Sequence, residues 1–187
     1  HVTDIISYAG RIFYLVGDSV LYSQVVLEDF TKADKCYQDA DPTSETFSDI
    51  VDTDGGMIVL SEIGKGIRFA IVGGLLCVVG TKATALIGGG TTNIFTATSY
   101  TASSLMAVGS MSPDSFVQTE EGLFYWSLTG VARLVASPQG VSYEIISTDT
   151  IQTLYDNLPD SCIKRCRAVY DKPAKEIIWM YPDEDNL

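Results

Sequence analysis

Gly73-Gly74 separates RFAIV from LLCVVG, and a two-residue turn between apolar runs this short is the signature of a β-hairpin. A third run, ATALI, follows Lys82 and ends at Gly88-Gly89-Gly90, so three short strands in about twenty residues make an antiparallel meander. The layout returns at SFVQTEEGLFYWSLTGVARLVAS, where Glu-Glu-Gly and Leu-Thr-Gly turns divide FVQT, LFYWS and VARLVA. It returns again as CRAVYDKPAKEIIWMYP, with Asp171-Lys172-Pro173-Ala174 as the turn. The opening stretch YAGRIFYLVGDSVLYSQ belongs beside these, with Gly17-Asp18 turning RIFYLV into VLYSQ.

Four strand-turn-strand units therefore start near residues 7, 67, 115 and 165. Meanders repeated at this interval predict an all-β fold of β-propeller-like blades, a partial propeller in which neighbouring sheets pack face to face. A β-sandwich of similar strands is the alternative. The 187 residues are read as one such segment, 1–187, which is expected to be part of a longer polypeptide because it begins at His1 and stops at YPDEDNL. One stretch breaks the β rhythm. In STDTIQTLYDNLP, Ile151, Leu154, Tyr155 and Leu158 recur at helical spacing, with Thr148 or Asp149 as N-cap and Pro159 as stop, which predicts a short amphipathic helix near 149–158.

Charge is the second constraint. Twelve Lys and Arg stand against 24 Asp and Glu, a formal charge of −12, which argues against a surface built to grip nucleic-acid phosphates. The acid is concentrated: ten carboxylates and two lysines lie between Glu28 and Glu62, whereas Lys82 is the sole charged side chain from Phe69 to Pro113. Residues 28–56 lack periodicity and are read as a long, acidic, irregular excursion, a length of loop that is usually functional or disordered. Its candidate site residues, facing either a lumen or a neighbouring subunit, are Asp34, Asp39, Asp41, Glu45, Asp49, Asp52 and Asp54. The rival reading is a merely solvated loop.

Residue chemistry narrows the function classes further. The single histidine is residue 1, so Ser-His and Cys-His schemes have no internal base, and no carboxylate pair stands out for glycoside hydrolysis. GGLLCVVGTK fails as a phosphate loop because five residues separate Gly74 from Gly80 and the order that follows is Gly-Thr-Lys. DIVDTDGG fails as an EF-hand because Asp52 and Asp54 at positions 3 and 5 put Ile50 at 1 and Ser61 at 12. Cys77 reads as a core residue, and Cys162 with Cys166 lacks the further ligands that zinc requires. Trp126 and Trp179 fit packing between blades better than an exposed glycan platform. IRFAIVGGLLCVVG is too short to span a bilayer, which takes about twenty residues, and is interrupted by Gly-Gly. No cofactor, metal or catalytic residue is expected.

Taken in order, SYAGRIFYLVGDSVLYSQ, EDF, DTDGGMIVL, IRFAIVGGLLCVVGTKATALIGG, SFVQTEEGLFYWSLTGVARL, the helix and AVYDKPAKEIIWMYP resemble the β-propeller region of tail tube or nozzle proteins from short-tailed bacteriophages. Gly10-Arg11, Tyr22-Ser23 and Tyr170-Asp171 carry the likeness most clearly, while Leu27-Glu28-Asp29-Phe30 departs from it by lacking a Pro before the aromatic. The resemblance implies a non-enzymatic virion component, made in the host cytoplasm and assembled in the tail as a homo-oligomeric ring, commonly a hexamer. Its partners would be portal and adaptor proteins and, without sequence-specific binding, the genomic DNA in transit. A carbohydrate-binding or glycan-cleaving propeller, such as a receptor-binding module, is the alternative from another class, and a generic propeller scaffold for protein partners is a further one.

Overall fold

The computed structural model describes residues 1–26, 30–37, 50–90, 94–105 and 109–182, with the Leu105 side chain left aside. Sheet 1 is built from β1 Asp4–Tyr8, β2 Arg11–Val16, β3 Ser19–Tyr22 and β4 Gly56–Val59. Sheet 2 follows with β5 Gly66–Val72, β6 Leu75–Gly80, β7 Thr84–Gly89 and β8 Tyr100–Leu105. Sheet 3 holds β9 Val117–Thr119, β10 Gly122–Trp126, β11 Val131–Ser137 and β12 Gly140–Ile145. Helices α1 Gln152–Asp156 and α2 Asp160–Lys164 then lead to sheet 4, the hairpin of β13 Arg167–Asp171 and β14 Glu176–Met180. Every sheet is antiparallel with its strands in chain order, and each stays open instead of closing into a barrel. The all-β, repeated-meander expectation is met.

Consecutive sheets pack face to face, and the strand patterns say why. In β2 alternate residues are buried, so Phe13 and Leu15 point one way; they meet Phe69, Leu76, Val78 and Ile87 of sheet 2 in the first core. The opposite face of sheet 2 presents Ala70, Val72, Cys77 and Val79 to Leu123, Tyr125, Ala132 and Leu134 of sheet 3 in the second core. Sheet 2 thus lies between two neighbours, which is the physical reason that LLCVVG and TALIGG are apolar without alternation. The far face of sheet 3 carries Trp126 and Val131 against Tyr155, Ile163 and Cys166, with Trp179 of β14 alongside. Each fully buried Leu, Val or Phe contributes roughly 1.5–3 kcal/mol relative to exposure, so the cores dominate the stacking.

The helical stretch differs from its expectation. The helix spans only Gln152–Asp156, because residues 147–150 turn back on sheet 3: the Thr148 hydroxyl donates to the Ile145 carbonyl at 3.0 Å and the Val131 amide donates to Ser147 Oγ at 3.1 Å. Ile151 and Leu154 stay exposed, and Tyr155 is the side chain that enters the core. A second helix, α2, starts after extended Pro159 with Asp160 in its first turn and Lys164 in its last, an arrangement that favours a helix dipole.

Candidate functional site

The acidic excursion is tied down at both ends, and the tie begins with Arg11. Arg11 opens β2 in phase with Phe13 and Leu15, so the strand's alternation carries its side chain to the buried face. Its guanidinium is spent on backbone carbonyls: Nη1 donates to Ser23 at 2.7 Å, to Thr53 at 3.4 Å and to Asp54, and Nη2 donates to Asp52. The cation also lies 5.6 Å from the ring centre of Tyr22 and 5.8 Å from that of Phe95, within cation–π range. Burial lowers the guanidinium pKa, while Tyr22, Asp54 and Asp52 push it back up, so the group keeps its charge in a site where bare desolvation opposes it.

Around that charge the chain folds into a tight turn at Asp52–Gly55. The Asp54 carboxylate is buried and accepts from the Val51 amide three residues back at 2.9 Å, which closes the turn together with the bond from the Asp54 amide to the Val51 carbonyl at 3.0 Å. Gly55 lies so close to the other limb of the excursion that a Cβ there would stand 2.4 Å from the Lys35 carbonyl oxygen and 2.7 Å from the Tyr37 nitrogen. That closeness is used: the Gly55 amide donates to the Tyr37 carbonyl at 3.1 Å and the Gln24 amide to the Lys35 carbonyl at 2.8 Å. The Val25 amide adds a bond to the Thr53 carbonyl at 3.0 Å. Five backbone segments, 10–12, 23–26, 35–37, 51–55 and 96–98, are thereby locked together about one buried cation.

The carboxylates of this region go to different places. Asp52 is exposed and accepts from the Thr98 hydroxyl; bonds from Thr98 and Thr96 hold its pKa below the ordinary carboxylate value, with Arg11 helping. Asp34 is exposed at the start of the excursion. Asp54 is internal and serves the turn, so it presents no charge to a lumen or a neighbour. Asp39, Asp41, Glu45 and Asp49 lie outside the described residues. Asp52 and Asp54 therefore do not converge on a common point, and among the described residues there is no group of three or more His, Cys, Asp or Glu placed to hold a metal ion.

Elsewhere the sequence candidates take structural roles. Cys77 sits in the core with its thiol pushed up to about 12 by burial, and Cys166 is raised to about 12 for the same reason. Cys162 and Cys166 are both buried free thiols. Trp126 stacks edge-on to Tyr155 with centroids 5.2 Å apart, and the Trp179 indole N–H donates to the Ser115 carbonyl at 3.0 Å, so both tryptophans pack between elements. The stretch GGLLCVVGTK forms strand β6 and its turns. No helix among the described residues is long and apolar enough to cross a membrane. Sequence reasoning missed Arg11 as a clamp, although its phase with Phe13 and Leu15 was the available signal. No protein-family model matches the chain, and comparison with curated proteins finds no match either.

Proposed function

We propose that this chain is a structural part of the tail of a short-tailed bacteriophage, a segment of a nozzle or tail-tube protein that forms part of a ring around the DNA ejection channel. The serial stack of open meanders suits a wall element, since each sheet is braced by the next and no substrate cleft is needed. The observation that carries the reading is the acidic turn fixed by Arg11, which holds Asp52 outward on a rigid frame in a chain of formal charge −12.

Fixed carboxylates suit a channel through which a polyanion must slide. A carboxylate 10 Å from a phosphate in water opposes it by about 0.4 kcal/mol, and screening at physiological salt limits this to charges within about 8 Å to 10 Å. The effect is therefore a weak repulsion summed over many subunits, enough to prevent sticking without blocking passage. The test is DNA ejection from particles carrying Asp34→Asn and Asp52→Asn together. Slowed or arrested ejection supports the lumen placement, and kinetics identical to the parent particle remove it. Labelled particles imaged by electron microscopy must also show this chain on the tail axis.

A further inference from the structure

Asp54-Gly55 is the sole Asp-Gly pair in the chain, and no Asn-Gly occurs. Such a pair is the most reactive kind of aspartyl peptide bond, because glycine has no side chain to shield its amide nitrogen from the carboxyl beside it. When the backbone is free to turn, the Gly55 nitrogen can bond to Asp54 Cγ. The nitrogen gives up its proton, the bond from Cγ to one carboxyl oxygen breaks, and that oxygen leaves as water with this proton and a second from the solvent. A five-membered imide results, which water then opens. Addition at the side-chain carbonyl restores aspartate, whereas addition at the main-chain carbonyl leaves isoaspartate, with the backbone rerouted through Cβ and Cγ.

The fold needs both residues of the pair. A Cβ at Gly55 would stand 2.7 Å from the Tyr37 nitrogen and 2.9 Å from Cys36 Cα, so no larger residue fits without moving backbone. Asp54 is needed because its carboxylate closes the turn on the Val51 amide. The same contacts that require the pair also hold its two reacting groups on different partners. The carboxylate is drawn back to Val51, on the N-terminal side of the turn, at 2.9 Å. The Gly55 N–H is committed to the Tyr37 carbonyl on the other limb of the excursion, at 3.1 Å. Arg11 anchors the peptide between them, with Nη1 donating to the Asp54 carbonyl and Nη2 to the Asp52 carbonyl. Asp54 and Arg11 are each 1% exposed, so the water that opens the imide is kept away as well.

We propose that Asp54-Gly55 is a latent modification site, the point at which this chain converts to isoaspartate, and that the Arg11 clamp keeps the reaction closed. Attack requires the turn to open, so the rate in the folded protein is the unfolded-chain rate multiplied by the fraction of time the turn is open. Opening breaks several buried hydrogen bonds at once, which puts that fraction below about one in ten. Isomerisation also prevents its own repair by refolding. The extra backbone carbon at residue 54 displaces Gly55 toward the Lys35–Tyr37 limb, where there is no room, so the modified turn cannot reseat and the frame that holds Asp52 outward is lost. This chemistry is independent of any role in a tail.

Peptide mapping by mass spectrometry after prolonged incubation at neutral pH tests it, since isoaspartate leaves the mass unchanged, shifts the peptide's retention and blocks an endoprotease that cuts before aspartate. In the urea-unfolded chain isoaspartate is expected first at residue 54, and in the folded chain it is expected there at least about tenfold more slowly. The slowing is expected to equal the protection of the Gly55 amide against hydrogen exchange, because one opening frees that nitrogen for both reactions. Arg11→Lys, which keeps a cation but not the planar fork, is expected to raise both rates together. The exchange comparison needs no variant, so it decides the matter even where Arg11→Lys fails to fold. Equal isoaspartate rates in the folded and unfolded chain overturn the guard, as does a slowing that departs from the Gly55 exchange protection. First appearance at another residue of the unfolded chain overturns the site. An Arg11→Lys chain that is folded by circular dichroism and keeps both parental rates overturns the role of Arg11.

Discussion

Sheets 2 and 4 contain hairpins of similar length, yet the first is buried on both faces and the second exposes every other residue. In sheet 2, Leu76, Cys77, Val78 and Val79 are all essentially inaccessible. In sheet 4, β13 and β14 alternate, with Arg167, Val169, Asp171, Glu176, Ile178 and Met180 outward. The difference lies in the neighbours: sheet 2 has a sheet on each side, whereas among the described residues sheet 4 has sheet 3 and the helix pair on one side alone. A continuous apolar run marks a strand between two layers, and an alternating one marks a strand packed on one face.

Alkaline titration should break the comparison most completely. Burial raises Tyr22, Cys77 and Cys166 to about 12 and Cys36 to about 11, from ordinary values of 10.0 for tyrosine and 9.0 for cysteine. A raised folded-state pKa means that the contribution is complete below the unfolded value and is lost as pH climbs through the folded one. Stability followed by circular dichroism is therefore expected to hold to about pH 9 and to collapse between about 9 and 12, with the cores between sheets failing cooperatively. Retention of the fold at pH 12 would contradict the burial of these groups.

Truncation separates the two sheets directly. Leu76→Ala, at the junction of sheets 1 and 2, should cost about 2–5 kcal/mol in urea unfolding, while Ile178→Ala on the open face of sheet 4 should cost under about 0.5 kcal/mol in the isolated chain. Equal costs would mean that sheet 4 is covered as well as sheet 2. Turns extend the contrast. Gly122 at φ +134° would place a Cβ 2.2 Å from the Leu134 carbonyl oxygen, whereas Gly17 at φ +62° has open space around it. Gly122→Ala is expected to cost more than about 2 kcal/mol and Gly17→Ala about 1 kcal/mol, the latter from backbone strain alone.

At the junction that helices seal, the expected effect is modest. The Tyr155 hydroxyl donates to the Ser127 carbonyl at 2.5 Å inside the third core, and Tyr155→Phe keeps the ring against Trp126 while losing that bond. A loss of about 1 kcal/mol is expected. A loss as large as that of Leu76→Ala would show that hydrogen bonding, not ring packing, holds α1 to sheet 3.

The turns were legible because their residues have local reasons to be there. Gly73-Gly74, Gly17-Asp18 and Glu121-Gly122 punctuate apolar runs, and strands appear on either side of each. The fourth strand of each complete sheet was harder to read. GMIV returns to sheet 1 only after the acidic excursion, YTASSL is mostly polar, and every residue of GVSYEI is partly or fully exposed. Edge strands bury less apolar surface, so pattern alone marks them weakly. The candidate site was legible as an acidic stretch, but not as a turn organised by a cation, since nothing along the chain links Arg11 to carbonyls more than forty residues away.

What the amino-acid order determined by itself is a train of antiparallel meanders, because strand alternation and turn chemistry act over two to ten residues and need no distant partner. Tertiary structure alone decided which faces are covered and that Arg11 is buried as a clamp with Asp54 turned inward. Burial is a property of what lies across a face, and that neighbour comes from tens of residues away or from another molecule.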